Sequence, residues 1–433
     1  MSPRQVAVVA SLVLAAVLAR PAAGGAGDDK VAWIAANAAA VRSIDPKDAD
    51  FADLAPLAAK IGNARIVQLG EATHGDGATL LAKTRLVRFL HESMGFDVVA
   101  WESGLYDVRL AEAALHRADS APGAAAAAGI FDIWSNAAQC APLFEYARST
   151  HGTARPLVMA GLDPQYGGGE SSAAYARDLG DLLGDVLPPE EREFAVGIRG
   201  ALEASIQGTP ESRAAFAEKT AALLAAIDRE RERLAARRSE AEIGFLRHTL
   251  EGLVAVSKMM EGLQANLGPR AMNPRAEAMA RNVAFLAEEY FRGRKIVVWA
   301  NTFHTLRDPK GIEVPGKPSR IGEARPMGQL LSEKYGAGLY TIAFVSARGK
   351  TQQLGTPAAG DIAEASADCF EGLCRKTAKP YLFIDLRSLA ADHWLRQPSL
   401  ARPIGHQEMR AADWGKHVDA FFYIEEGTPV TRA

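Results

Sequence analysis

The chain has 433 residues, 48% of them hydrophobic and 23% charged, with a formal charge of −3 at pH 7. That hydrophobic share supplies a real core and excludes a disordered chain, while the slight acidity argues against nucleic acid as a partner. Three cysteines without companion histidines exclude a zinc knuckle.

At the N-terminus, Arg4 precedes an apolar run from Val6 to Leu18, and small residues around Ala23 and Ala26 follow. The run is too short to span a bilayer comfortably. Residues 1–23 are therefore expected to be a secretory signal peptide, with an uncleaved anchor as the alternative. Cleavage would remove Arg4 and Arg20, taking the charge from −3 to −5, and would place the protein in the periplasm or outside the cell. No later segment reaches transmembrane length.

Seven short apolar runs then recur: 65–70, 97–102, 156–163, 295–300, 339–344, 381–386 and 420–425. Their lengths suit strands buried on both faces. Between the first two, Leu80, Leu81, Val87, Leu90 and Met94 repeat at helical spacing until Gly95 stops the pattern. The alanine tract 123–129 reads as a loop or a helix start.

The stretch from about 169 to 294 shows no strand pattern and reads as amphipathic helices, including 188–206 and 213–263. The expected fold is α/β: a central, mostly parallel sheet flanked by helices, with a large all-helical insertion covering the strand C-terminal ends. The expected division is 1–23 signal peptide, 24–169 first half of the core, 170–292 helical lid and 293–433 second half. In an oxidising compartment Cys369 and Cys374 are expected to pair, leaving Cys140 unpaired and buried in a helix; two reduced thiols are the alternative.

Several familiar motifs are missing. There is no G-x-S-x-G elbow, no H-E-x-x-H and no G-x-G-x-x-G after a strand, and "GIEVPGKPS" has Pro318 where a phosphate loop needs a hydroxyl. What the strand ends do carry is acids and imidazoles. Glu71 and His74 follow the first run, Glu102 closes the second, Asp163 and Gln165 end the third, and His304 lies just past the fourth. A lone carboxylate there is usually a helix cap, but Glu, His, Glu and His on converging strand ends suit general-base hydrolysis. Lys83 and Arg85, on the following helix, are candidate cations for an oxyanion.

In "LGEATHG" (69–75), "K-T-R" (83–85), "GFDVVAWE" (95–102), Trp134, "AGLDPQ" (160–165), "NPRAEAMARN" (273–282), "VVWANTFH" (297–304), "RPMGQLL" (325–331) and "DAFFYI" (419–424) the chain resembles the erythromycin esterase family. The resemblance implies a hydrolase that opens a macrolide lactone or similar ester with activated water and no covalent serine intermediate. It implies His74 as general base, Glu71 and Glu102 as site carboxylates, Lys83 as a functional cation and His304 as the second histidine of a W-A-H-N-x-H segment. Arg85, Asn301, Asp163, Gln165 and Trp134 complete the site as substrate-binding residues. The chain departs from the family at Asn301, which replaces the first histidine of that segment, and at Gln139, where an acid is often found.

Expected, then, is a small-molecule ester or lactone substrate and no cofactor. Two alternatives stay open: a divalent-metal hydrolase of related fold using the same Glu and His set, and a non-catalytic periplasmic binding protein. Neither the substrate nor the oligomeric state is set by the sequence.

Overall fold

All seven apolar runs become strands of one sheet, because each is short, continuous and flanked by residues that end a strand. The computed structural model describes residues 26–433 other than 118, 168, 185 and 353–357; the expected signal peptide lies outside the described residues. The strands are β1 (Ala39–Ala40), β2 (Ile66–Glu71), β3 (Phe96–Gly104), β4 (Val158–Asp163), β5 (Lys295–Asn301), β6 (Leu339–Gln352), β7 (Ala359–Ile362), β8 (Tyr381–Asp385), β9 (Ser399–Ala401), β10 (Arg410–Ala412) and β11 (Ala420–Gly427). The main sheet runs β1-β8-β11-β6-β2-β5-β3-β4, with β7 paired to the far end of β6 and β9 with β10 forming a separate ribbon. From β11 to β4 every neighbour is parallel, whereas β8 is antiparallel to both β11 and β1.

Side chains alternate between the two faces of the sheet. Val67, Leu69, Val99, Trp101, Val297 and Trp299 pack with Leu80, Leu86, Val87 and Leu90 of the helix Gly77–Met94. Asp76 caps that helix, and Gly95 ends it at φ +76°, a conformation that glycine adopts without strain. On the opposite face Ile66, Val98, Ala100, Ile296 and Val298 meet Leu179, Leu250, Leu253, Met279 and Val283 of the helical segment. The bulk of that segment therefore lies against the sheet face. It reaches the strand ends through Arg275, in the first turn of the helix Asn273–Phe285. Gly197 divides the expected helix 188–206 into Pro189–Val196 and Ile198–Gln207, and the alanine tract forms the helix Pro122–Ala127.

The expected disulfide is not formed: Cys140, Cys369 and Cys374 are all free and buried. Cys369 caps the helix Phe370–Arg375, its sulfur accepting from Gly372 N and its thiol facing the Ser366 carbonyl. Cys374 lies five residues further along that helix, an axial rise of about 7.5 Å, beyond the usual Cα separation of a bridge. Cys140 is buried at the N-cap of Ala141–Thr150. Among the described residues no helix is long and apolar enough to cross a membrane.

Leaving β2, the chain passes over β5 to reach β3; leaving β5, it passes over β2 to reach β6. The first packs its helix Gly77–Met94 on one face and the second packs Met327 and Leu331 on the other, so the connections part to opposite faces at the β2 and β5 C-terminal ends, the place where a parallel sheet forms its crevice.

Candidate active site

Strand order places the chemistry side by side. Glu71 at the end of β2 pairs in register with Asn301 at the end of β5, β5 lies beside β3 with Glu102, and β3 lies beside β4, which ends at Asp163. Gly70 makes room for the rest: a Cβ there would come within 2.6 Å of Thr305 Oγ1 and 2.9 Å of Thr302 Oγ1. Its absence lets the short helix Thr302–Thr305 seat His304 against the strand ends.

The first centre is built around Glu71, whose side chain is fully buried. Its Oε1 accepts from His74 Nδ1 at 2.7 Å and from Trp134 Nε1 at 3.1 Å, while Lys83 Nζ donates to Oε2. A carboxylate only accepts, so Nδ1 carries the proton and Nε2 keeps its lone pair. Nε2 has no protein partner among the described residues, and the His74 side chain remains 17% exposed. Burial acts to lower the pKa of His74, but the Glu71 hydrogen bond and the charges of Glu102 and Glu71 outweigh it and raise the pKa above the ordinary imidazole value. Trp134 stands edge-on to His74, with ring centroids 5.1 Å apart.

The second centre is built around Glu102. Oε1 lies 3.2 Å from His304 Nε2 and accepts from Arg275 Nη2 at 3.1 Å; Oε2 accepts from the Asn301 backbone N at 2.8 Å. Arg275 also engages Asp163 through Nε and Nη2, and its Nη1 is 3.3 Å from His304 Nε2. Burial would raise the pKa of Glu102, yet His304, His74 and Arg275 hold it well below the ordinary carboxylate range. The two centres thus sense each other through the Glu102 charge.

Several expected roles change. Lys83 is not at the crevice: it is fully buried beneath Glu71, its Nζ 4.2 Å from the centre of the Trp299 ring. Burial lowers its pKa, opposed by Glu71. It positions Glu71 and does not face an oxyanion. Arg85 is removed from the site altogether. Two residues on, it points about 200° around the helix from Lys83, where it binds Asp53, Asp48 and the carbonyls of Ser43 and Asp50. Trp134 is buried and serves Glu71. Asp163 is likewise buried, and it holds Arg275.

Asn301 caps the helix Thr302–Thr305 by accepting from Phe303 N at 2.9 Å. Gln165 is half-buried, and its backbone N donates to Asp163. Gln139 clasps the C-terminal segment through two hydrogen bonds to Thr431. Arg275, the cation that organises the second centre, has no expected role in the sequence reading. Its only signal there is its place in "NPRAEAMARN".

The family model described as erythromycin esterase matches residues 91–427. "Putative hydrolase YbfO" of Bacillus subtilis (strain 168) is 23% identical over 416 residues, covering 92% of this chain and 91% of that protein. A crystal structure of a Bacillus cereus protein superposes with a TM-score of 0.77 at 18% identity, covering 93% of this chain and 98% of the other. A mutant of erythromycin esterase EreC in its open conformation gives a TM-score of 0.61 at 18% identity, covering 90% and 97%. At such identity the structures establish the shared fold. The chain belongs to the erythromycin esterase family.

Proposed function

We propose that this member of the family is a hydrolase that opens an ester or lactone with water activated by His74. The observation that carries the reading is the 2.7 Å contact between His74 Nδ1 and buried Glu71, which leaves Nε2 unpartnered among the described residues. Nε2 takes a proton from water as the water oxygen bonds to the carbonyl carbon. Glu71 and Glu102 stabilise the imidazolium so formed. When the tetrahedral intermediate collapses, the carbon–alkoxide bond breaks and His74 returns the proton to the leaving oxygen. No side-chain nucleophile is required.

The carboxylates are already committed to donors: Glu71 to His74, Trp134 and Lys83, Glu102 to Arg275, His304 and the Asn301 N–H. Such saturation supports proton transfer over ligation of a metal, and we expect no cofactor requirement.

The test is a panel of aliphatic esters, aryl esters and lactones hydrolysed in ¹⁸O-labelled water, with native protein and His74→Asn side by side. One labelled oxygen in the acid, no acyl-protein adduct by mass and loss of turnover in the variant are expected. A stoichiometric adduct, or native rates from His74→Asn, would overturn the mechanism. Loss of activity on chelation, restored by a divalent metal, would favour the metal-dependent alternative.

A further inference from the structure

Glu71 orients the imidazole of His74, but something else must fix the loop 72–76 from which it projects. Gly405 N donates to the Ala72 carbonyl at 2.9 Å, and Gln352 N and Val430 N donate to the Gly75 carbonyl at 2.9 and 3.1 Å. Gly75 is so closely covered that a Cβ there would lie 1.9 Å from the Gln352 carbonyl oxygen.

Asp76, two residues past His74, is fully buried and gathers Thr79 N at 3.2 Å, Thr79 Oγ1 at 3.0 Å and Ser346 Oγ at 2.9 Å. The remaining neighbour of that carboxylate is His406, whose Nε2 stands 3.2 Å from Oδ2. His406 is 3% exposed; the contact lacks the alignment of a good hydrogen bond, and Nδ1 has no partner among the described residues. An imidazole stripped of water without satisfied ring nitrogens is costly, and such a group calls for an explanation. Among the described residues the carboxylate that its ring faces is Asp76. Arg402, the other charged group at hand, holds the His406 carbonyl and those of Ser346 and Ala347, while its own backbone N donates to Glu371.

We propose that His406, acting through Asp76, is a positioning residue that keeps His74 on Glu71. Asp76 caps the helix that carries Lys83 beneath Glu71, so its placement fixes both sides of the Glu71–His74 contact. Burial would raise the pKa of Asp76, and the nearby His406 imidazole with the Ser346 and Thr79 donors lowers it, which keeps the anchor ionised. The inference rests on His74 being the general base, but its test does not depend on turnover.

The measurement is an NMR titration of the His74 ring, assigned by loss of its signal in His74→Asn, in native protein, His406→Leu, His406→Gln and Ser346→Ala. The groups facing His74 are Glu71, Glu102 and Lys83. If the loop loosens, the Glu71 bond weakens and the midpoint falls toward the ordinary value of about 6.5. We expect that fall in folded His406→Leu, a smaller one in Ser346→Ala, and restoration in His406→Gln, which returns an N–H near the Nε2 position. Turnover of a panel ester should drop about 100-fold in His406→Leu at little-changed KM. A native midpoint in folded His406→Leu overturns the proposal. Should that variant not fold, a native midpoint in Ser346→Ala does so. An absence of ester turnover in native protein would instead sink the hydrolase reading and leave the midpoints to decide this one.

Discussion

The two carboxylate–histidine centres sit on neighbouring strand ends yet are built to opposite purposes. At Glu71 the imidazole is 17% exposed and its Nε2 is unpartnered among the described residues, while the supports, Lys83 and Trp134, lie behind the carboxylate. At Glu102 the imidazole is buried, and Arg275 ties Glu102, His304 and Asp163 into one charged network. In the proposed mechanism the same residue pair carries a proton where solvent reaches the imidazole, and serves as a fixed electrostatic frame where it does not. Glu102 joins them, since its charge helps raise the pKa of His74.

The largest effect that would break this contrast is on turnover at the open centre. His74→Asn should lower kcat by about 10²–10⁴-fold with the thermal transition little changed, because Glu71 keeps Lys83 and Trp134. Rates per folded molecule and a thermal melt check both halves. Next is stability at the closed centre. Arg275→Met leaves Glu102 and Asp163 buried without their cation and should cost about 3–5 kcal/mol in denaturant unfolding. A loss under about 1 kcal/mol would show that the network is not the frame described.

The link between the centres is read by pH. A base must be neutral to act, so kcat/KM should rise with pH through a midpoint above the ordinary imidazole value, following the raised pKa of His74. Glu102→Gln should move that limb to lower pH by removing one of the charges that raise it. The same variant should also alter acid unfolding. The folded-state pKa of Glu102 is depressed, so the stability it contributes is full above its unfolded value of about 4.5 and is lost as pH falls through the depressed one. Glu102→Gln should therefore show a shallower loss of stability below that pH. An unmoved acid limb would mean the two centres are independent.

The strands β2, β3, β4, β5, β6, β8 and β11 were legible because burial on both faces leaves a continuous apolar run. β1, β7, β9 and β10, two to four residues each, are too short to leave any pattern. The antiparallel direction of β8 depends on pairing partners that no local pattern encodes. At the site, Glu71, His74, Glu102 and His304 were legible because they follow strands, where parallel sheets present their ligands. Arg275 was not: it arrives from a helix distant in sequence, where one more arginine in an amphipathic pattern looks like solvated surface. Arg85 misled for a related reason, since closeness to Lys83 in sequence becomes opposition on a helix. The cysteine pair misled because a spacing that closes a loop in an extended segment is held apart by a helix, and unreduced, denatured protein should accordingly alkylate at all three cysteines.

The smallest expected effect is at Asn301, where the chain departs from its family. Resemblance alone would have Asn301→His restore a missing imidazole and raise lactone hydrolysis. The structure gives the side chain another task, since its Oδ1 caps the helix that seats His304. Histidine is a poorer cap, so the substitution should cost about 1 kcal/mol of stability. It should also loosen His304 against Glu102, and turnover of simple lactones should stay within a few-fold of native. A gain of about tenfold, equivalent to roughly 1.4 kcal/mol of barrier, would show the opposite. Position 301 would then tune substrate choice, and the closed centre would take part in the chemistry beyond holding its charges in place.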